Sequence, residues 1–168
     1  MEYTLSHICN FHQVFDFANI KPIENISRNK PKGGLWLSVN NGWEKWCESE
    51  MPEWLIGTRY AATLKPDARI CWVYDEEDLE ALPNNPKAAD VIRMFGDFEK
   101  FIDFEALTKD YDAIAVMVQS GDWNCLYNRL YGWDCDSMVV FHPEIIKSME
   151  ETTSWAIPEA LYADNEDW

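Results

Sequence analysis

The chain predicts an α+β domain, and three observations carry that expectation. Short apolar runs of strand length, Ile70 to Tyr74, Asp112 to Val118 and Ser137 to Phe141, are rich in β-branched and aromatic residues. Between them lie segments with apolar residues at helical spacing, several opened by an aspartate or serine that can cap a first turn. A length of 168 residues with 47% hydrophobic content fits one domain with a proper core, whereas two would be cramped. No linker, internal repeat or low-complexity stretch divides the chain. Residues 1–168 are therefore expected as a single domain, with 154–168 a loosely attached acidic tail that lacks any clear period.

Taken in order, Tyr3 to Ile8 predicts a first strand, with Tyr3, Leu5 and His7 on one face and Thr4, Ser6 and Ile8 on the other. Residues 10 to 19 predict a helix capped by Asn10, because Phe11, Val14, Phe15 and Ala18 recur at helical spacing. A polar connection from Pro22 to Lys32 leads to Gly33-Gly34, which allow a close backbone approach at the lip of a cleft. Leu35-Trp36-Leu37-Ser38 follows as a strand whose leucines face one way while Trp36 and Ser38 face the other. An indole and a hydroxyl then share a face at the strand's end, a pair suited to a flat polar ligand. Gly42 to about Glu50 predicts an amphipathic helix with Trp43, Trp46 and Cys47 inside and Glu44, Lys45 and Glu48 outside.

Further on, Asp75 caps an acidic helix that ends before Pro83, and Ala88 to Phe95 predicts a short helix ended by Gly96. Residues 103 to 109 suggest another, capped by Asp103. Ser120 or Asp122 opens one through Trp123, Leu126, Tyr127 and Leu130. His142-Pro143 stops the last strand, since proline has no N–H to give a ladder.

Composition excludes several functions. A net charge of −16, from 30 acidic against 14 basic residues, repels a phosphate backbone and disfavours nonspecific nucleic-acid binding. Such charge is mostly solvated surface, yet Asp75 to Asp78 and Glu150-Glu151 are concentrated enough to suit docking on a basic partner. No run of about 18 apolar residues and no basic-then-apolar N-terminus occurs, which predicts a soluble, cytoplasmic protein with no membrane association. Five cysteines without a C-x-x-C pair predict free thiols. His7-x-Cys9-x-x-His12 matches no standard zinc spacing and has no evident fourth ligand, so no metal is expected. Neither a phosphate-cradling G-x-x-x-x-G-K nor a dinucleotide G-x-G-x-x-G is present.

The polar residues in apolar settings are few: His7, Ser38, and Asp134 and Asp136 in the stretch Tyr131 to Ser137. Carboxylates at i and i+2 share a face of an extended segment, so both can line a pocket beside Trp36 and Trp133, one acting while the other tunes it. The alternative is that they close a turn by accepting local backbone N–H groups. Nine tryptophans supply flat apolar faces that fit a planar ligand without requiring one.

Four stretches, in order, resemble the ADP-ribosyltransferase superfamily over most of residues 3 to 148. They are His7 on the first strand, Gly34-Leu35-Trp36-Leu37-Ser38 feeding a tryptophan-rich helix, Tyr111-Asp112-Ala113-Ile114, and Ser137 to Ile146. The last is similar to an E-Y-V-V-F-x-P-x-x-I strand at Val139, Val140, Phe141, Pro143 and Ile146. The resemblance implies a split β-sheet core with peripheral helices, NAD as co-substrate, and mono-ADP-ribosyl transfer to a macromolecular acceptor by a toxin or phage-defence effector. It implies that His7 holds the nicotinamide-side ribose or amide, and that Gly34, Leu35, Trp36 and Ser38, with Trp133 beside them, wall the nicotinamide. It also implies that Asp136, with Asp134 near, stands where a catalytic glutamate stabilises an oxocarbenium-like state. The chain departs from the pattern there, because Ser137 sits next to the strand and Asp136, one methylene shorter than glutamate, sits before it. The competing expectation is a non-catalytic acidic binding protein, such as an immunity protein, antitoxin or inhibitor, presenting carboxylates to a basic partner.

Overall fold

A computed structural model describes residues 2–10 and 14–152. Seven strands form one mixed sheet: β1 (Leu5–Asn10), β2 (Leu35–Val39), β3 (Gly57–Leu64), β4 (Ile70–Val73), β5 (Ala113–Val116), β6 (Ser137–Val140) and β7 (Ile146–Glu151). Their order is β4-β5-β6-β2-β1-β3-β7. Only β4 and β5 run parallel; the other described pairs are antiparallel. Among the described residues five α-helices accompany them: α1 (Gly42–Glu50), α2 (Glu76–Ala81), α3 (Ala89–Phe95), α4 (Phe104–Leu107) and α5 (Trp123–Arg129). The architecture is α+β, as the sequence predicts. No helix among the described residues is long and apolar enough to cross a membrane.

The sheet must curl. β3 and β4 lie five strand spacings apart in the order, about 24 Å if the sheet were flat. The chain from Leu64 to Ile70 reaches about 22 Å at full stretch, and it is not stretched, because Ala68 N–H donates back to the Lys65 carbonyl. Consistent with curling, the Tyr3 ring, just before β1, meets the Trp72 ring of β4 edge-on at 5.1 Å between centroids.

Strand alternation then builds two cores. Inside the curl lie Leu5, Leu35, Leu37, Val39, Ala113, Ala115, Met138 and Val140. On the outer face Ile114, Val116 and Val139 pack against Leu79 of α2, Phe104 and Leu107 of α4, Leu126 of α5, and Trp133. The helices are held at their starts by the expected caps: Asp75, Asp103 and Asp122 each accept a backbone N–H three residues on.

Three expectations are corrected. The helix expected over residues 10 to 19 is not found where those residues are described: Asn10 ends β1, residues 11–13 lie outside the described residues, and from 14 to 19 there is only a single 3-10 turn, Phe17–Asn19, after Asp16. Asp16 takes the Ala18 N–H and competes with a longer helix. β3 and β7 were not foreseen, because β3 is built mostly of small and polar residues and β7, the edge strand, is largely polar and charged. Glu44 is not on the outer side of α1 but fully buried. The tail 154–168 and His12 lie outside the described residues. All five thiols are free, and burial pushes Cys47 up to about 12 and Cys135 up to about 11, values that leave both protonated and poorly nucleophilic.

Candidate functional site

The ladder between β1 and β2 is incomplete. β1 pairs with β3 along its whole length, and β2 pairs with β6 from Leu35 to Ser38. Between themselves they pair only at Leu5↔Val39 and Ser6↔Ser38, after which they diverge. A strand that leaves its neighbour exposes backbone groups that need new partners. The Trp36 carbonyl finds one in His7, whose Nδ1 lies 2.9 Å away. A carbonyl only accepts, so Nδ1 carries the hydrogen and Nε2 of the neutral ring presents a lone pair. Burial depresses the His7 pKa, favouring that neutral ring.

Behind the divergence sits a buried polar cluster. Two consecutive asparagines in the left-handed region, Asn40 and Asn41, turn the chain from β2 into α1. α1 can start there because Gly42 lies so near Asp136 that an added Cβ would meet its carbonyl oxygen at 2.9 Å. Within the first turn, Glu44 points back at the sheet and accepts the hydroxyls of Ser6 and Ser38 and the Arg59 Nε–H at 3.0 Å. Arg59 also donates to Asn41 at 2.6 Å. The cluster ties β1, β2 and β3 to α1 where β1 and β2 part, and it satisfies a carboxylate with no access to water.

In front of the cluster opens a cavity of about 910 Å³. Its lining includes His7, Trp36 and Ser38 from the parting strands, Trp43 and Trp54 on one flank, and Trp133, Asp134 and Cys135 from the segment leading into β6. Indole planes dominate it. Trp36 and Trp133 meet at 4.9 Å with planes tilted 50°, while Trp43 stacks on Trp54 at 5.6 Å. Trp133 is fixed from behind, its Nε1–H donating to the Asn29 carbonyl at 2.9 Å. Such a volume is at the upper end for small-ligand sites and exceeds what one flat ring needs.

Of the residues singled out from the sequence, the structure brings His7, Trp36, Ser38, Trp133 and Asp134 to this one cavity. Three are elsewhere. Asp136 is buried with its carboxylate accepting the N–H groups of Gln119 and Ser120 and the Ser120 hydroxyl. It closes the turn after β5, so Asp134 and Asp136 serve different sides of the segment. Gly34 is packed among Ile23, Val139 and the Val140 carbonyl, a fit that together with φ of +69° explains the missing side chain without a ligand. Leu35 belongs to the inner core. Ser38 lines the cavity, but its hydroxyl hydrogen goes to Glu44 and it accepts the Trp43 N–H, so it braces α1 more than it offers a donor.

Sequence reasoning missed Lys30, Glu53 and Trp54 as lining residues and the Glu44–Arg59 pair behind them. Glu44 stands three residues before the buried Cys47 on α1, a spacing that puts them on one face. Arg59 carries no such signal, since its strand was not foreseen. Among the described residues no group of three His, Cys, Asp or Glu side chains gathers as a metal site. No family model, no curated protein and no solved structure matches this chain.

Proposed function

We propose that the protein is a divergent mono-ADP-ribosyltransferase-like enzyme that binds NAD in the cavity at the β1–β2 divergence and modifies a macromolecular acceptor. The observation that carries this reading is the divergence itself: two central strands that part after two pairs, with His7 bridging the gap beside Trp36, support the split core that the resemblance implies. A flat cationic pyridinium suits walls of indole, which attract it through their π faces, and the nearby Asp134 and Glu53 add favourable charge. The Nε2 lone pair of His7 can accept from an amide or a ribose hydroxyl.

In this reading Asp134, not Asp136, is the working carboxylate, because Asp134 lines the cavity while the carboxylate of Asp136 is consumed in a turn. The nicotinamide–ribose C–N bond breaks with its electron pair leaving on nicotinamide, and a carboxylate stabilises the positive charge left on the ribose. An acceptor nucleophile then bonds the same carbon and gives its proton to the carboxylate.

Incubation with labelled NAD and a cell lysate tests the reading. Label transfer and nicotinamide release are expected from the parent, with Asp134→Asn slower by about 100-fold or more and Asp136→Asn close to the parent once its folding is verified. A parent that releases no nicotinamide and transfers no label would overturn the enzyme. The −16 charge favours a second reading, an acidic protein that blocks a basic partner. A salt-sensitive complex with such a partner, together with silence on NAD titration, would put it first.

A further inference from the structure

The cavity is lined by a cation that has no protein hydrogen-bond acceptor among the described residues. Lys30 is the single lysine or arginine among the lining residues, in a chain where acidic groups outnumber basic ones by two to one. Its ammonium stands 5.1 Å from the centroid of the Trp36 ring. That cation–π contact holds the charge by its attraction to the ring but accepts no classical N–H hydrogen bond. Among the described residues Lys30 makes no hydrogen bond and no ion pair. Asp134 is near enough to favour its charged form, yet does not pair with it, and burial outweighs that help and lowers the Lys30 pKa. The other half-sequestered cations behave differently. Arg59 is paired with Glu44, Arg129 with Glu76 and Glu80, and Lys100 with Glu80.

Half-buried at the cavity wall, the ammonium keeps three N–H donors that no protein group directs, so acceptor oxygens on a ligand can take them. Gly132 leaves room for the end of this side chain, since a Cβ there would meet the Lys30 Cε at 3.6 Å and Nζ at 3.8 Å.

We propose that Lys30 anchors an anionic group of the phosphate class on the cavity's ligand, so that the site takes nucleotides in preference to nucleosides. The inference rests on the NAD reading for the identity of the flat group, and it goes beyond it by naming the residue and chemistry that select the phosphate-bearing part. The same arrangement would serve any planar ligand with a phosphate beside it. A surface as acidic as this one repels anions at a distance, so the preference must arise locally and must weaken as salt is raised.

Isothermal titration of the full chain with nicotinamide riboside, nicotinamide mononucleotide, adenosine and ADP separates the two levels. The parent is expected to bind each phosphate compound at least about tenfold tighter than its nucleoside. Lys30→Gln is expected to bring that ratio to about one while leaving the nucleosides within about twofold, and Lys30→Arg to keep part of it. Preference for ADP that depends on Lys30, with no binding of either nicotinamide compound, would remove the NAD reading and keep the anion anchor. A ratio unchanged in Lys30→Gln, a parent without any preference, or no binding at all would overturn the anchor. If Lys30→Gln does not fold, acetylation of the parent followed by mass spectrometry decides: ADP should slow modification of Lys30 selectively, and equal modification with and without ADP rejects the proposal.

Discussion

The sheet has two halves that meet the same backbone requirement by opposite means. From β4 through β5 to β6 the ladder is unbroken, and every residue of β5 is buried between apolar neighbours. Across β2 and β1 the ladder stops after two pairs, and Ser6, His7, Ser38, Glu44 and Arg59 take over the tasks of backbone and hydrocarbon. The first half is stabilised by area removed from water, a diffuse quantity that tolerates small changes of shape. The second depends on a few charged and hydrogen-bonded atoms, and a change of one group leaves the others buried without partners. It is the second half that opens a cavity.

The comparison can be broken most forcefully at Glu44. Glu44→Ala removes the acceptor shared by two hydroxyls and a guanidinium, and is expected to cost about 3–5 kcal/mol in urea unfolding; a cost under about 1 kcal/mol would mean that the cluster does not hold the seam. Ile114→Ala in the apolar half is expected to cost about 2–5 kcal/mol through its cavity alone, and to leave ligand binding intact. The two aspartates sharpen the contrast. Asp136→Ala strands the N–H groups of Gln119 and Ser120 and should cost about 1–3 kcal/mol, whereas Asp134→Ala should stay within about 0.5 kcal/mol of the parent and act on function instead. Equal stability losses would contradict their different placements.

The smallest effect is a pH dependence at His7. Its folded pKa lies below the ordinary value of 6.5 because burial penalises the imidazolium. The unfolded chain therefore binds a proton more readily. Stability from this group is complete above about pH 6.5 and declines as the pH falls from there toward the folded pKa, by at most about 1.4 kcal/mol per unit. His7→Asn retains an N–H donor for the Trp36 carbonyl and has nothing to titrate, so the difference between parent and variant should narrow below pH 6.5. A parent that becomes relatively more stable than His7→Asn on acidification would reverse the sign.

What the sequence revealed follows the same division. β2, β4, β5, β6 and the capped helices were legible because apolar runs and aspartate caps act locally, as at Asp75 and Asp103. His7, Trp36, Ser38, Trp133 and Asp134 were recognised as a group although they are far apart in the chain, since each is a polar or indole side chain beside a strand signal. The assignment of Asp136 failed because i,i+2 alternation holds only while the segment stays extended and free. Here Asp136 turns instead to the loop after β5, which lies nearly twenty residues earlier and leaves no local trace. Glu44 failed for a related reason: a glutamate is placed outside by default, and only its partner Arg59, on an unforeseen strand, makes its burial affordable.

Hydrogen exchange with and without NAD tests the central claim most directly, because it asks where on the chain a ligand acts and needs no acceptor. Slower exchange is expected in three stretches, 6–8 and 35–38 at the strand divergence and 133–137 leading into β6, and little change along 113–116, which is already protected by an unbroken ladder. Protection confined to other regions, or none at saturating NAD, would contradict a binding site at the opened seam.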